Sequence, residues 1–246
     1  MVRPTNELNR LDREDLHRTT LTEDYYLGVF EVTQYQWAKL MNEWPSYFTN
    51  ALARDTRPVE LVSYQSIRGS NVARFTLNPD SFLGRLKALT GLEVELPTEW
   101  QWEHACRAGT QTPYNDNVAS PSSATARRLM RCRDNGGGYG PTDSPDRNLD
   151  DSAGTARVGS YEPNAWGLFD MHGNVWERCY DLWTQNLGDD DRIDPFIQPS
   201  AVNNQMVIRG GCWNETTAYC RSASRTGSNG TGSSFSSGFR VFVKAP

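Results

Sequence analysis

Five cysteines and three histidines are the residues of this 246-residue chain best suited to metal or nucleophilic chemistry, and their spacing favours neither. Cys106, Cys132, Cys179, Cys212 and Cys220 form no CxxC pair. With His17, His104 and His172 they show no spacing that would converge four ligands on a tetrahedral zinc. Histidines this scattered do not build a facial triad for iron either. An odd, sparse set of thiols reads as buried free side chains, with one disulfide open to it in an oxidising compartment. His172, within DMHGNVWE, reads as a hydrogen-bonded structural imidazole rather than a general base. No Ser–His–Asp spacing stands out, and Gly136–Gly138 does not open a helix after a strand as a phosphate cradle would. The acidic run Asp189, Asp190, Asp191 and Asp194 reads as a solvated face. No catalytic residue is assigned.

The tail is suited to a different chemistry. Between Trp213 and Ser237 the chain is mostly Ser, Thr, Gly and Asn, with Tyr219 and Phe235 interspersed. Small polar side chains offer adaptable hydrogen bonds, and a few aromatics offer rigid contact area, the composition of a binding loop. By composition alone the tract is a flexible linker. Linkers, however, rarely sit between two strands that end a domain, and Val207–Gly211 and Gly238–Val243 both read as strands. An ordered display loop is the expectation.

Elements that could hold such a loop are legible upstream. Residues 1–20 are charged and expected to be irregular. Tyr25–Thr33 is apolar enough for a buried strand. Thr33 with Gln36 forms a capping box opening a helix whose Trp37, Leu40, Met41 and Trp44 share one face, until Pro45 ends it. Pro58–Tyr64 reads as a short strand. Ser81–Thr90 reads as a second helix, with Gly91 at its C-cap. A strand at Leu92–Pro97 leads to Thr98 and Gln101, another capping box, and a helix stopping at Gly109. Gln111–Thr155 is expected to be long surface loops with little regular structure.

Composition bounds the partners. A formal charge of −5 and a pI near 5.3 exclude a nucleic-acid partner, which needs a basic face. No window approaches the length of a membrane span, and Met1–Asp24 lacks the apolar stretch of a signal peptide. Surface display would require a leader or anchor outside this chain.

Four blocks in order carry a resemblance: Leu27–Gln34 (LGVFEVTQ), Leu96–Gly109 (LPTEWQWEHACRAG), Asn164–Glu177 (NAWGLFDMHGNVWE) and Arg209–Trp213 (RGGCW). Cys220–Arg225 and Gly238–Arg240 follow the last block. Together they resemble the formylglycine-generating-enzyme, or sulfatase-modifying-factor, family, from about Leu21 to Val243. The resemblance implies an α+β, C-type lectin-like fold with two helices, small antiparallel sheets and long loops, as a single domain over 21–246. Read from the residues themselves, Arg209, Arg221, Arg225 and Arg240 are expected to be buried braces beneath the terminal loop, which suits a side chain of five donors.

Formylglycine-generating enzymes hold copper(I) with two cysteines in the loop after a GGS motif. Here Cys212 stands at the serine, Cys220 directly precedes Arg221, and Glu215, Thr216 and Thr217 occupy the region of the pair. The ergothioneine sulfoxide synthases resemble only the C-terminal half, and need an iron-binding domain that this chain does not suggest. Variable proteins of diversity-generating retroelements resemble it best, with a variable region here spanning 207–240. In those systems template adenines are randomised at Asn codons, giving Asn, Ser, Thr, Gly, Ala, Asp, Tyr and Phe. Asn214, Thr216, Thr217, Tyr219, Ser224, Thr226, Ser228, Asn229, Thr231, Ser234, Phe235 and Ser236 belong to that set, whereas Glu215 does not. With Trp213 as anchor they form the expected surface for a protein or carbohydrate ligand. Trp213, Arg221, Ala223, Arg225 and Gly238 would be the fixed framework. No cofactor is required. Family members often bind calcium near the GNVWE segment, and Asn174 and Glu177 are the oxygen ligands expected for it.

Overall fold

The computed structural model describes residues 7, 10–14, 18–50, 52–69, 76–117, 122–135, 154–188, 190–198 and 204–245. His17, Asp189 and Gly136–Gly138, singled out above, lie outside them. In chain order the strands are β1 (Thr19–Thr20), β2 (Tyr25–Leu27), β3 (Val94–Glu95), β4 (Met130–Arg131), β5 (His172–Gly173), β6 (Trp176–Leu182), β7 (Arg192–Ile193), β8 (Gln205–Arg209), β9 (Arg225–Asn229), β10 (Ser237–Gly238) and β11 (Phe242–Lys244). The helices are α1 (Gln34–Met41), α2 (Tyr64–Arg68), α3 (Phe82–Thr90), α4 (Glu99–Arg107) and α5 (Ser123–Leu129). This is an α+β architecture with short elements. Among the described residues it holds five helices rather than two, though only α1, α3 and α4 exceed seven residues. None of them is long and apolar enough to cross a membrane.

Local chemistry sets the helix ends. The capping boxes Thr33/Gln36 and Thr98/Gln101 are both formed, and Ser81 caps α3, which Gly91 closes in the left-handed region. α1 stops earlier than its apolar spacing predicts, because Asn42 turns left-handed at φ 59°. Trp44 therefore leaves the helix face and lies exposed with the Arg54 guanidinium 3.8 Å above its ring. α4 ends one residue before Gly109, at a left-handed Ala108.

Three predicted segments differ. Of Tyr25–Thr33 only the first three residues form a strand, since Val29 and Phe30 turn outward, although Gly28 and Val32 still donate to Val241 and Phe239. Pro58–Tyr64 contributes a single bridge, Thr33 to Pro58, before Ser63 caps α2 through a box with Ser66. The stretch expected to be loops carries α5, capped by Ser122, and β4. Part of residues 1–20 is described, and it reaches the body of the domain. β1 pairs in parallel with β7, and Glu14 is buried.

A four-stranded sheet in the order β10–β6–β8–β9 is the platform for the tail, with β8 antiparallel to both neighbours and β10 parallel to β6. A three-stranded antiparallel sheet, β2–β11–β3, closes the chain. The main core packs α1 and α3 against the end of the chain. Trp37 stacks on Phe82 at 5.1 Å, and Phe239 meets both rings edge-on. A second core, around Trp102, Cys106, Met171 and Val207, lies under the other face of β8.

Candidate ligand-binding surface

The tail is held from beneath by four buried arginines, each matched to a carboxylate. Arg209 donates to Glu103 at 2.6 Å and to the carbonyls of Ser222 and Ser224. Arg221 meets Glu14 through two bonds of 2.7 and 2.8 Å and Glu7 through a third. Arg225 clasps Glu99 side-on and stacks over Trp183 at 4.4 Å. Arg240 clasps Glu177 and also donates to the carbonyls of Gly28 and Phe169. Planar, multidentate pairing of this kind fixes backbone position as well as charge. The bracing role expected from the sequence is what all four perform.

On this frame the predicted binding residues separate by exposure. Tyr219, Asn229, Thr231 and Phe235 are exposed, while Asn214, Thr216, Thr217, Thr226, Ser228, Ser234 and Ser236 are half-buried. Two assignments need correction. Ser224 is fully buried, with its carbonyl bonded to Arg209, because it lies at the turn where the braced backbone enters β9. Trp213 is also buried, 1 % exposed, its indole donating to the Phe235 carbonyl, so it supports the surface without forming it.

The structure gathers the surface residues into three groups. Around Trp213 lie Phe235 (5.8 Å between rings), Ser234 bonded to Ser236, and Asn214, which accepts from Cys212. Thr216, Thr217 and Tyr219 form a second group on a short 3-10 turn, where Asp134 accepts from the Thr217 amide and Tyr114 donates to its carbonyl. Thr226, Ser228 and Asn229 stand on β9, an edge strand, and Thr231 on the turn after it, where Asn229 Oδ1 accepts from Thr231.

Sequence reasoning missed an aromatic contribution from outside the tail. Tyr47, 68 % exposed, lies 6.0 Å from Phe235, and Phe48 meets Trp213 edge-on at 5.2 Å. Glu60 holds this second loop in place by accepting from the Phe48 amide. Burial pushes the Glu60 carboxyl up to about 7, against the opposing effect of the backbone amides it accepts from. The legible signal was the aromatic pair after Pro45, in a segment too short for a core element.

Neither the expected calcium site nor the alternative copper(I) site matches the donors present. Both Glu177 oxygens are engaged by Arg240 at 2.6 Å, and one also accepts from the Trp102 indole. Asn174 Oδ1 accepts from the Ala156 amide, and its Nδ2 donates to Glu31. That set does not fit calcium, since the carboxylate is neutralised and the amide oxygen is already used. For copper(I), Cys212 donates to Asn214 Oδ1 and Cys220 to the Thr216 carbonyl, within different apolar clusters. Burial raises both thiols, Cys212 to about 12. The pair does not fit an open thiolate site. All five cysteines are free and buried.

The remaining histidines are likewise satisfied. His172 Nδ1 pairs with the Cys220 carbonyl at 2.7 Å, and burial drives the ring down to about 4, so it is neutral. His104 pairs with Tyr25 and packs edge-on against Trp166.

A family model described as "Sulfatase-modifying factor enzyme 1-like domain" matches residues 3–245. Formylglycine-generating enzyme of Thermomonospora curvata is 33% identical over 154 residues, covering 59% of this chain and 48% of that protein. The bovine formylglycine-generating enzyme (Bos taurus) is 31% identical over 151 residues, covering 59% and 37%. Serine/threonine-protein kinase pkn1 of Chlamydia pneumoniae is 26% identical over 235 residues, covering 93% and 34%. The chain thus spans about a third to a half of the length of these three relatives. Among solved structures, Treponema denticola variable protein 1 superimposes with a TM-score of 0.72 at 23% identity, covering 93% of this chain and 87% of that one. PvdO from Pseudomonas aeruginosa gives 0.72 at 22% identity, covering 100% and 90%.

Proposed function

The chain belongs to the sulfatase-modifying factor enzyme 1-like domain family, and on that premise we propose that it is a binding protein that presents its C-terminal surface to a protein or carbohydrate ligand, without catalysis. One observation carries this reading. Within one tract, the residues facing inward are arginines locked to carboxylates, and those facing outward are small polar groups around Phe235 and Tyr219. Such a division lets outward side chains change while the backbone stays in place, as loops on a rigid scaffold do. The shared fold with Treponema denticola variable protein 1 supports a variable-protein role, in which positions from Asn214 to Ser236 are diversified by a retroelement.

Ordering the tail in advance matters for affinity. A loop of serines and glycines that had to order on binding would lose much of its contact energy to entropy. The rings of Tyr47 and Phe235 would act as anchors, surrounded by polar contacts of small individual weight.

The test is to sequence the 3′ end of the gene and its downstream kilobases across a population of the source. Sister sequences differing chiefly at the outward residues, beside a near-copy repeat and a reverse transcriptase, are the expected result. An invariant 3′ end without a repeat overturns diversification. The alternative is an oxidase of the formylglycine-generating type, favoured by relatives bearing that name at about a third identity. It predicts stoichiometric copper(I) uptake that is lost in Cys212→Ser and Cys220→Ser.

A further inference from the structure

Arg178 departs from the other arginines under the tail. It lies on β6 with no exposed surface, and its Nη2 donates to the Gly232 carbonyl at 2.8 Å. Neither Nε nor Nη1 has a partner among the described residues, and no carboxylate there pairs with it. Its cross-strand neighbour is Ile208, whose own partner on β9 is Thr226, so these three side chains share one face of the sheet. Residues 230–236 cross that face. Gly232 is tied to Arg178, and the Ser234 carbonyl accepts from the Leu61 amide.

A buried guanidinium without a counter-charge is strongly destabilising. Losing its proton does not relieve this, because burial lowers its pKa only to about 10, well above neutrality. Compensation has to come from a negative charge. We propose that Arg178 is the floor of an anion site beneath the tail loop, taking one small anion of chloride or carboxylate size through Nε and Nη1. Both nitrogens are fully enclosed, so the guest has to be a compact ion or a single carboxylate head. The two sources are an inorganic ion from the medium and an Asp or Glu side chain of a bound protein. The site stands on Arg178 alone, whether or not the tail is diversified.

Crystals soaked in sodium bromide test it directly, with an anomalous peak expected within hydrogen-bond distance of Nε or Nη1. In parallel, Tm is measured in sodium chloride, sodium acetate and sodium gluconate at equal ionic strength. The wild type should gain about 2–4 °C in chloride or acetate over gluconate, the shift of a modest binding energy in a domain this size. Arg178→Met should lose that gain and be at least as stable as wild type in gluconate. A gain in acetate alone assigns the site to a carboxylate, and a gain in chloride alone to an inorganic ion. No bromide peak, with the same anion response in wild type and variant, overturns the proposal. If Arg178→Met does not fold, Arg178→Lys and the wild-type bromide data decide it.

Discussion

Glu99 and Arg225, 126 residues apart, are joined by two hydrogen bonds of 2.8 Å with both groups buried. The same carboxylate lies 3.5 Å from the guanidinium of Arg209. One acid near the start of α4 therefore fixes both the strand that enters the tail and the strand that leaves its first loop. Glu99→Ala leaves the buried Arg225 without its carboxylate, while Arg209 keeps Glu103, and is expected to cost about 3–5 kcal/mol in urea unfolding. A loss below about 1 kcal/mol would mean the tail is held by something else.

Exposure separates support from display within a single stretch of sequence. Trp213→Ala should cost about 3–5 kcal/mol as a buried aromatic truncation. Alanine at Asn214, Thr231 or Phe235 should stay within about 0.5–1 kcal/mol. If Phe235→Ala and Trp213→Ala unfold at the same denaturant concentration, the outward face is core and not a surface for ligands.

Ser224 should reject the diversity its neighbours tolerate. It is fully buried at the entry to β9, so Ser224→Tyr overpacks the site and should cost about 1–3 kcal/mol or abolish folding. Thr226→Tyr, half-buried on the same strand, should fold. Equal tolerance at both positions in a library sorted for folded protein would contradict this placement.

Stability should fall as pH rises toward neutrality. Asp170 is raised from 3.8 to about 7 by burial and by Glu177, against the Gly159 amide and Arg240. Glu60 is raised from 4.5 to about 7, also by burial. Raised carboxyls favour the protonated folded state, so their contribution is complete below about pH 4 and is lost as pH passes through about 7. Asp170→Asn keeps an acceptor for the Gly159 amide and suits the left-handed backbone there, φ 58°. It should raise stability at pH 8 by about 1–3 kcal/mol and flatten the pH profile from 4 to 7. A wild-type stability that rises through that window contradicts the assignment.

Chelation should leave the fold unchanged. With Glu177 committed to Arg240 and Trp102, EDTA is expected to shift Tm by less than about 1 °C, since only binding to the native state adds stability. A fall of several degrees, restored by calcium, would place an ion elsewhere in the loops.

What could be read from sequence followed the range of the forces involved. Both capping boxes and the left-handed Gly91 were legible because a cap is decided within four residues. The arginine braces were legible as a class, since a buried guanidinium demands several acceptors. Their partners Glu14, Glu99 and Glu103 were not, because nothing in local spacing joins α4 or the N-terminal segment to the tail. The segment Pro58–Tyr64 misled because β-branched and apolar residues before Ser63 imitate a strand, whereas the structure spends them on one bridge and a helix cap. Burial of Ser224 and the approach of Tyr47 to Phe235 both come from tertiary packing, which composition does not encode.

Arg221 closes on Glu7 and Glu14, contacts spanning 214 and 207 residues. During synthesis those two acids leave the ribosome 214 and 207 residues ahead of their partner. The two charges stay solvated and their segment undocked until Arg221 has been made, so native docking of this segment cannot precede synthesis of the tail. Closing loops of such length is entropically slow. Docking of the segment that bears Glu7 and Glu14 is therefore expected to be a late step in folding, and a tail variant that weakens Arg221 would be felt first as slow docking of that distant segment.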